Sequence, residues 1–572
     1  MSDYQLAASL SDFDTQDILS LTMKGNTIAI FKEDETVYAI DNRCPHMGFP
    51  MDKGSLKNGI VTCHWHHARF CARSGGAFDQ WADDIRSFPV EIRDGEIFLD
   101  VSVPEDRLVQ SRKRLIEGME RNISLVISKS IIRLLDWGED PTDIAKQGLA
   151  YGSIWGNSYS QGMTILTCMT NLLPYLNDKD KAKALFHGLS AIAGDCAGQN
   201  PRFLINPFSE ENTTDSEQLK NWFRDCIEVR DRDGADRCLM TALSQGADDK
   251  VISDMLFSAA TDHRYINTGH VLDSTNKAFE ALDICGWDQA SRFLGALVTS
   301  YTGASRSEEN KSWLQPEKLG ELLLTSFERI PEQLTSDDTW QADANFMDII
   351  LGDDTRAITD LLISALENGA GPIKLSALLT HAAASRVAFF HTSNDLGDWN
   401  RVLHSFTYAS AIHRGLLRSE SQDLVRGIFD VAMTVYLDRF LNIPKAKWQA
   451  SSDSPEQIID QLPELLNQQQ MVNETASLVE AYLEQGAEAN VLIAKLGELL
   501  LRENRNFHSI QMFEAAVFHY KNSGGNLGEN SVDLYLVAAG RYIAAHAPSS
   551  RQQEHTFRIA NRLHKGEKVF ED

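Results

Sequence analysis

The chain has 572 residues, room for two to four domains at roughly 150 residues each. With 43% hydrophobic and 24% charged residues it can build real cores, which excludes global disorder. Its 54 Lys and Arg against 81 Asp and Glu give a net charge of −27, which repels a phosphate backbone and argues against nucleic-acid binding.

Eight Cys are too few for a disulfide scaffold, and all precede residue 286. That distribution suits a reducing compartment with thiols put to chemical use. The opening stretch MSDYQLAASLSDFD has no basic region followed by an apolar run, so it does not read as a signal peptide. No stretch reaches the roughly 18 to 20 uninterrupted apolar residues of a membrane span. The expectation is a soluble, cytoplasmic protein without a membrane partner.

The first hundred residues read as β. NTIAIFKEDETVYAID (Asn26 to Asp41) holds two β-branched and aromatic runs split by a charged turn at Lys32 to Glu35. SFPVEIRDGEIFLDVSV (Ser87 to Val103) repeats the pattern around Asp94-Gly95, a strong hairpin signal. Gly48, Gly54, Gly59, Gly75 and Gly76 lie between them, as in a small antiparallel fold with long loops.

The texture changes after Pro104. Only 11 Pro follow, and long stretches carry apolar residues at i, i+3, i+4 and i+7. Examples are LVQSRKRLIEGMERNISLVISKSIIRLLDW, AFEALDICGWDQASRFLGALV and RAITDLLISALENG, the last closing on a Gly369 stop. Ser209 to Glu217, Thr302 to Lys311 and Ala450 to Glu456 read as loops. No fixed-period repeat supports a solenoid. The expected fold class is multidomain: a small all-β domain over residues 1–103, then a large all-α domain over residues 104–572.

The chemistry in the β half sits in CPHMGFPMDKGSLKNGIVTCHWHHARFCARSGG. Cys44-Pro45-His46 is followed by 16 residues and then by Cys63-His64-Trp65-His66. Two loops thus each offer one thiolate and one imidazole. Tetrahedral zinc competes for such a set, although zinc fingers usually keep the Cys pair and the His pair apart. The mixed pattern CxH-x16-CxxH resembles the Rieske [2Fe–2S] family, in which two Cys hold one iron and two His the other.

That resemblance covers about residues 1–103. It implies Cys44 and Cys63 on one iron, His46 and His66 on the other, and a one-electron relay with a potential of roughly −150 to +300 mV. The loops lack the extra Cys pair of the bc1-type branch, which places the domain with the ferredoxins and oxygenases. Trp65 and Phe70 are expected to shield the cluster. His64 and His67 read as solvated neighbours, and Cys71 as a buried spectator thiol.

A Rieske domain fused to a larger partner usually feeds it electrons. In ring-hydroxylating oxygenases that partner carries a DxxHxxxxH-like iron motif, which is absent here, so their architecture does not carry over. The helical half instead holds scattered histidines: His187, His263, His270, His381, His391, His404, His413, His508 and His519. Several fall on apolar helical faces, with His263 and His270 on one face and Lys374 and His381 on another. A buried neutral His needs a partner for each ring nitrogen, and a metal is one way to supply it.

GHVLDSTNKAFEALD, GDWNRVLHSFTYASAIH and NFHSIQMFEAAV resemble segments of the questin oxidase family, helical oxygenases that act on aromatic polyketides. By that resemblance a second iron would be held by His270, His404 and His508, joined by His187 and His263, with Lys374 as a modified lysine. The apolar segments GSIWGNSYSQGM and FLINPF are candidates to line a pocket, though most of their residues are expected in the core.

The sequence therefore points to a Rieske-dependent oxygenase. The cluster would relay electrons to a non-haem iron that hydroxylates or cleaves an apolar or aromatic small molecule with O₂. No GxGxxG fingerprint is present, so a separate NAD(P)H-dependent reductase or ferredoxin is the expected donor. The competing reading is an electron-transfer or redox-sensing protein whose helical half is a metal-free scaffold.

Overall fold

The computed structural model describes residues 4–102, 107–156, 158–209, 214–337, 339–419, 421–523, 525, 527, 531–567 and 569. It divides into two compact units, one of Met1–Asp140 with Gln553–Asp572, the other of Pro141–Gln552.

The first unit holds ten strands: β1 (Tyr4–Ser9), β2 (Ile18–Met23), β3 (Asn26–Glu33), β4 (Thr36–Asp41), β5 (Ser55–Lys57), β6 (Ile60–Thr62), β7 (Arg69–Cys71), β8 (Ser87–Phe88), β9 (Val90–Arg93) and β10 (Glu96–Asp100). They form three antiparallel sheets in the orders β1-β10-β9, β2-β3-β4-β8 and β5-β6-β7. Both expected hairpins are present. β3 and β4 join at Asp34 and Glu35, of which only Asp34 has positive φ, and β9 and β10 join at Asp94 and Gly95, where both residues have the positive φ of a tight primed turn.

β3 explains why Ile28-Ala29-Ile30-Phe31 is apolar throughout instead of alternating. Successive strand side chains point to opposite faces. Ile28 and Ile30 enter one core with Phe88, Ile97 and Leu99, while Ala29 and Phe31 enter another with Ile40, Val61 and Phe70. Both faces are therefore buried. At roughly 1.5–3 kcal/mol for each large apolar side chain, this strand anchors the unit. The second core also contains Cys44 and Cys63.

The helical run read from residue 108 to 137 is two helices, α1 (Arg107–Glu120) and α2 (Ser124–Asp136). They part at Asn122, whose φ of +51° cannot continue a right-handed helix. Both belong to the first compact unit, as does most of the C-terminal helix Gln552–His564. The expected boundary at residues 103 and 104 lies outside the described residues, and the compact unit runs well beyond it. A division by secondary-structure type misses these helices, which pack on each other and reach the β domain through polar bonds such as Arg114 to Asp83 and Lys129 to Pro45 O.

The second unit is all-α, as expected. Its helices include α3 (His270–Cys285), α4 (Asp398–Arg418) and α5 (Phe507–Asn522), and α4 packs against both of the others. α3 stops at Gly286, with φ +106°, which breaks the run read from Ala278 to Val298. α5 starts where the Asn506 side chain accepts the Ser509 N–H at 3.1 Å. RAITDLLISALENG forms the helix Thr355–Glu367, capped by Asp354 and followed by Gly369 at φ +84°.

Of the expected loops, Thr302 to Lys311 contains a short 3-10 turn at Ser307–Glu309, and Ala450 to Glu456 runs into a helix capped by Ser454. Residues 210–213 of the Ser209 to Glu217 loop lie outside the described residues. No described helix is long and apolar enough to cross a membrane.

Gly75 ties the loop after β7 together. Its N–H donates to Cys71 O, its carbonyl accepts from Ile85 N–H, and its φ is +78°. A Cβ there would fall 1.8 Å from Ile85 O, whereas one on Gly76 would meet only Ser74 Oγ at 3.4 Å. Gly75→Ala should destabilise the first unit by more than about 1 kcal/mol and Gly76→Ala by less, an order that urea titrations of the two variants check.

Candidate metal centres

The two Cys-plus-His pairs sit on loops of matched construction. Cys44 N–H donates to Phe49 O and Cys63 N–H donates to Ala68 O, each at 2.8 Å, so each loop closes five residues on. In the first loop the N–H groups of His46 and Met47 donate to the Cys44 sulfur. In the second, those of Trp65 and His66 donate to the Cys63 sulfur. Both thiols are buried and hydrogen-bond to each other. That bond lowers Cys63 to about 6, helped by the loop N–H donors, and raises Cys44. The loops are thus equipped to hold thiolate sulfur.

On the other side, the His46 and His66 rings stand 4.8 Å apart and nearly perpendicular. Burial lowers His46 to about 4, so its ring is neutral at pH 7. Its Nδ1 is buried without a hydrogen-bond partner. Such an atom costs about 1–3 kcal/mol unless something binds it, and a metal does so. Two thiols, two imidazoles and an orphaned ring nitrogen fit a cluster held by Cys on one iron and His on the other.

A family model of the Rieske [2Fe-2S] domain matches residues 3–89. The ferredoxin component of the naphthalene 1,2-dioxygenase system of Pseudomonas putida is 31% identical over 97 residues, 17% of this chain and 93% of that ferredoxin. This chain belongs to the Rieske [2Fe-2S] family. The 3-phenylpropionate/cinnamic acid dioxygenase ferredoxin subunit of Photorhabdus laumondii is 39% identical over 77 residues, 13% of this Rieske chain and 73% of the subunit. Among solved structures, the ferredoxin of carbazole 1,9a-dioxygenase from Nocardioides aromaticivorans IC177 is 22% identical. The match covers 18% of this chain and 100% of that one, with a TM-score of 0.17.

Around the Rieske loops the neighbours fall largely as expected. Trp65, 36% exposed, lies against His66 at 4.2 Å, and Phe70 is fully buried. His64 is exposed and bonded to Ser55 Oγ at 3.0 Å, and His67 is exposed at φ +62°. Cys71 is only half-buried, and the Ser74 hydroxyl lowers its pKa, so it is less sheltered than a spectator core thiol.

In the second unit three of the proposed histidines converge from three helices. His270 opens α3, His404 lies in α4 and His508 in α5. Their ligand atoms all lie within 4.8 Å of one another, and no other such trio is found among the described residues. His404 Nε2 and His508 Nε2 are 2.9 Å apart. Burial lowers all three, His404 to about 3 and His508 to about 4, so each offers a neutral lone pair at pH 7.

The backbone before His270 is strained. Asn267 and Thr268 hold φ of +49° and +53°, and Gly269 follows at +91°. A β-branched residue in that region costs on the order of 1–3 kcal/mol, and strain of this kind gathers at functional sites. This run also corrects one expectation: His263 and His270 do not share a helical face, because α3 begins only at His270.

His263, His187 and Lys374 stand outside the trio. Both ring nitrogens of His263 are taken by carboxylates, Glu308 and Glu228, each at 2.8 Å, which raises its pKa and leaves no lone pair for a metal. His187 is buried in the helix Asp178–Cys196 with Nε2 on Leu501 O at 3.1 Å. Lys374 donates to Trp340 O and lies over that indole, 5.7 Å from the ring centroid.

Below the trio is a layer that the sequence reading missed. Three residues after each His stand Asp273, Thr407 and Gln511, and the Asp273 carboxylate accepts hydrogen bonds from the other two. Complete burial raises Asp273 to about 7. The repeated spacing HVLD, HSFT and HSIQ was the available signal. A pocket of about 290 Å³ reaches His404, lined also by Tyr265, Trp313, Arg401, Ser405 and Asp438. Among the described residues, none of GSIWGNSYSQGM or FLINPF, the segments proposed to line a pocket, lines this one.

His187 supplies a pH test away from either centre. Its folded pKa is lowered from 6.5 to about 4 by burial. Above pH 6.5 both states leave it neutral; as pH falls, the unfolded chain binds the proton first and stability drops until about pH 4. His187→Gln should remove up to about 3 kcal/mol of that acid sensitivity, read from urea unfolding of the helical unit at pH 7 and pH 4.5.

Proposed function

We propose that this protein is a Rieske-dependent oxidoreductase in which Cys44, His46, Cys63 and His66 hold a [2Fe–2S] cluster and His270, His404 and His508 hold a second metal, read as iron. The observation that carries the reading is the convergence of three neutral imidazoles from α3, α4 and α5 beside a pocket. Imidazole sites suit zinc, copper, nickel and iron alike. A domain that delivers single electrons favours a redox-active ion over zinc. Such an ion with open positions supplies O₂ binding and activation.

The chain's own residues then have defined tasks. The loop N–H groups hold sulfur on the Cys side of the Rieske site, and His66 presents an exposed ring. In the helical unit, Tyr265 and Trp313 give the pocket aromatic walls near His404. Arg401 and Ser405 both bond to Asp438, at 2.6 Å each, which fixes that wall. Asp273, held by Gln511 and Thr407, keeps a carboxyl able to carry a proton near neutral pH one turn below the trio. The substrate class that fits is an apolar or aromatic small molecule, with a separate reductase or ferredoxin as electron donor and a cytoplasmic setting.

The relatives favour a second reading. They are ferredoxins, and the matches named above cover 13–18% of this chain. On that reading the Rieske domain carries or senses electrons and the helical unit is a scaffold without metal. Metal and acid-labile sulfide per chain, measured on anaerobically purified protein, separate the two. The oxygenase reading expects a third iron that is lost in His270→Ala, His404→Ala and His508→Ala while the reduced Rieske EPR signal stays unchanged. Two irons and two sulfides, with no change in these variants, would establish the carrier reading.

A further inference from the structure

α1 and α2 lie beyond the matched Rieske segment, yet they reach its first ligand loop. Lys129 of α2 is 3% exposed. Its ammonium donates to the carbonyl of Pro45, the residue between Cys44 and His46, at 2.8 Å. Its other partner is Asp83, whose Oδ2 is 2.5 Å away. Asp83 is itself buried, and Arg114 of α1 grips it at 2.7 Å while donating to Ala82 O at 2.9 Å. Arg133 of α2 stands 3.7 Å from the same carboxylate, and Glu117 takes the other end of Arg114 at 3.0 Å.

With Lys113, 3.8 Å from Glu117 on the outer side, four cations meet two carboxylates, which leaves an excess of positive charge beside the His46 loop. Burying an ammonium costs several kcal/mol unless good partners surround it. Here one of those partners is a ligand-loop carbonyl, which a purely structural ion pair would not need. The same loop is held from a second side, since Gly48 would place a Cβ 3.2 Å from Leu563 of the C-terminal helix. The naphthalene dioxygenase ferredoxin spends 93% of its length on the aligned segment and is too short to carry such helices.

We infer that Lys129, locked by Asp83 and Arg114, is a positioning and charge-setting residue for the Rieske centre, and that α1–α2 form a bracket raising its reduction potential. Reduction adds one electron to the cluster, and a fixed cation on the ligand loop stabilises that added negative charge. The Asp83 carboxylate offsets part of the effect, so its removal acts in the opposite direction. This rests on the Rieske centre alone and holds whether or not the helical unit binds metal.

The test is the midpoint potential of the full-length protein, followed by visible absorbance and EPR during an anaerobic redox titration. Lys129→Gln should lower it, by about a tenfold change in the reduced-to-oxidised ratio (~59 mV for one electron). Asp83→Asn should raise it, and Lys129→Arg should leave it near the starting value. A purely structural role would move Lys129→Gln and Asp83→Asn the same way, or neither by threefold, and either result overturns the inference. Should Lys129→Gln not retain its cluster, Asp83→Asn decides: a rise supports the bracket, no change or a fall refutes it.

Discussion

The first unit depends on backbone N–H groups being aimed at sulfur. A thiolate in a protein core is expensive unless donors replace the water it has lost. Here the two loops solve that problem in the same way: a five-residue closure turns two successive N–H groups onto each Cys sulfur. The rest of the unit keeps those loops from relaxing. β3 supplies a rigid floor buried on both faces, and its inner face packs in the same core as the two thiols.

The helical unit faces the reverse problem, since it brings polar side chains together inside a mostly apolar bundle. The His trio is followed by the Asp273 layer, and one turn further on Lys277 bonds to Glu280 and Glu514 at 2.8 and 2.7 Å. Arg414 joins both carboxylates at 2.6 and 2.9 Å. Each group has a specific partner, as burial of charge requires. Such a column fixes the rotation of α3, α4 and α5 about their axes, because any slip would strand several charges at once. The geometry of the trio inherits that precision.

Much of this was legible in the chain. Cys44, His46, Cys63 and His66 stand out because their spacing is local to two loops and flanked by hairpin patterns. β and α halves separate because periods of two and 3.6 differ plainly. His270, His404 and His508 could be singled out, but His187 and His263 looked equivalent, because carboxylate partners such as Glu228 and Glu308 are distant in sequence. Lys129 was invisible for a related reason: one Lys in a helix carries no sign that it reaches Pro45. The boundary read at residues 103 and 104 follows the change in secondary structure, whereas the compact unit runs on to Asp140.

The first unit is assembled from both ends of the sequence, with Pro141–Gln552 inserted between them. That ordering imposes a schedule on biosynthesis. At about 5–20 residues per second, the roughly 400 inserted residues take tens of seconds to emerge. Throughout that interval the loop bearing Gly48 lacks the Leu563 side chain that later covers it. The β domain is therefore born open on that side, and its cover arrives only after the helical unit has been made.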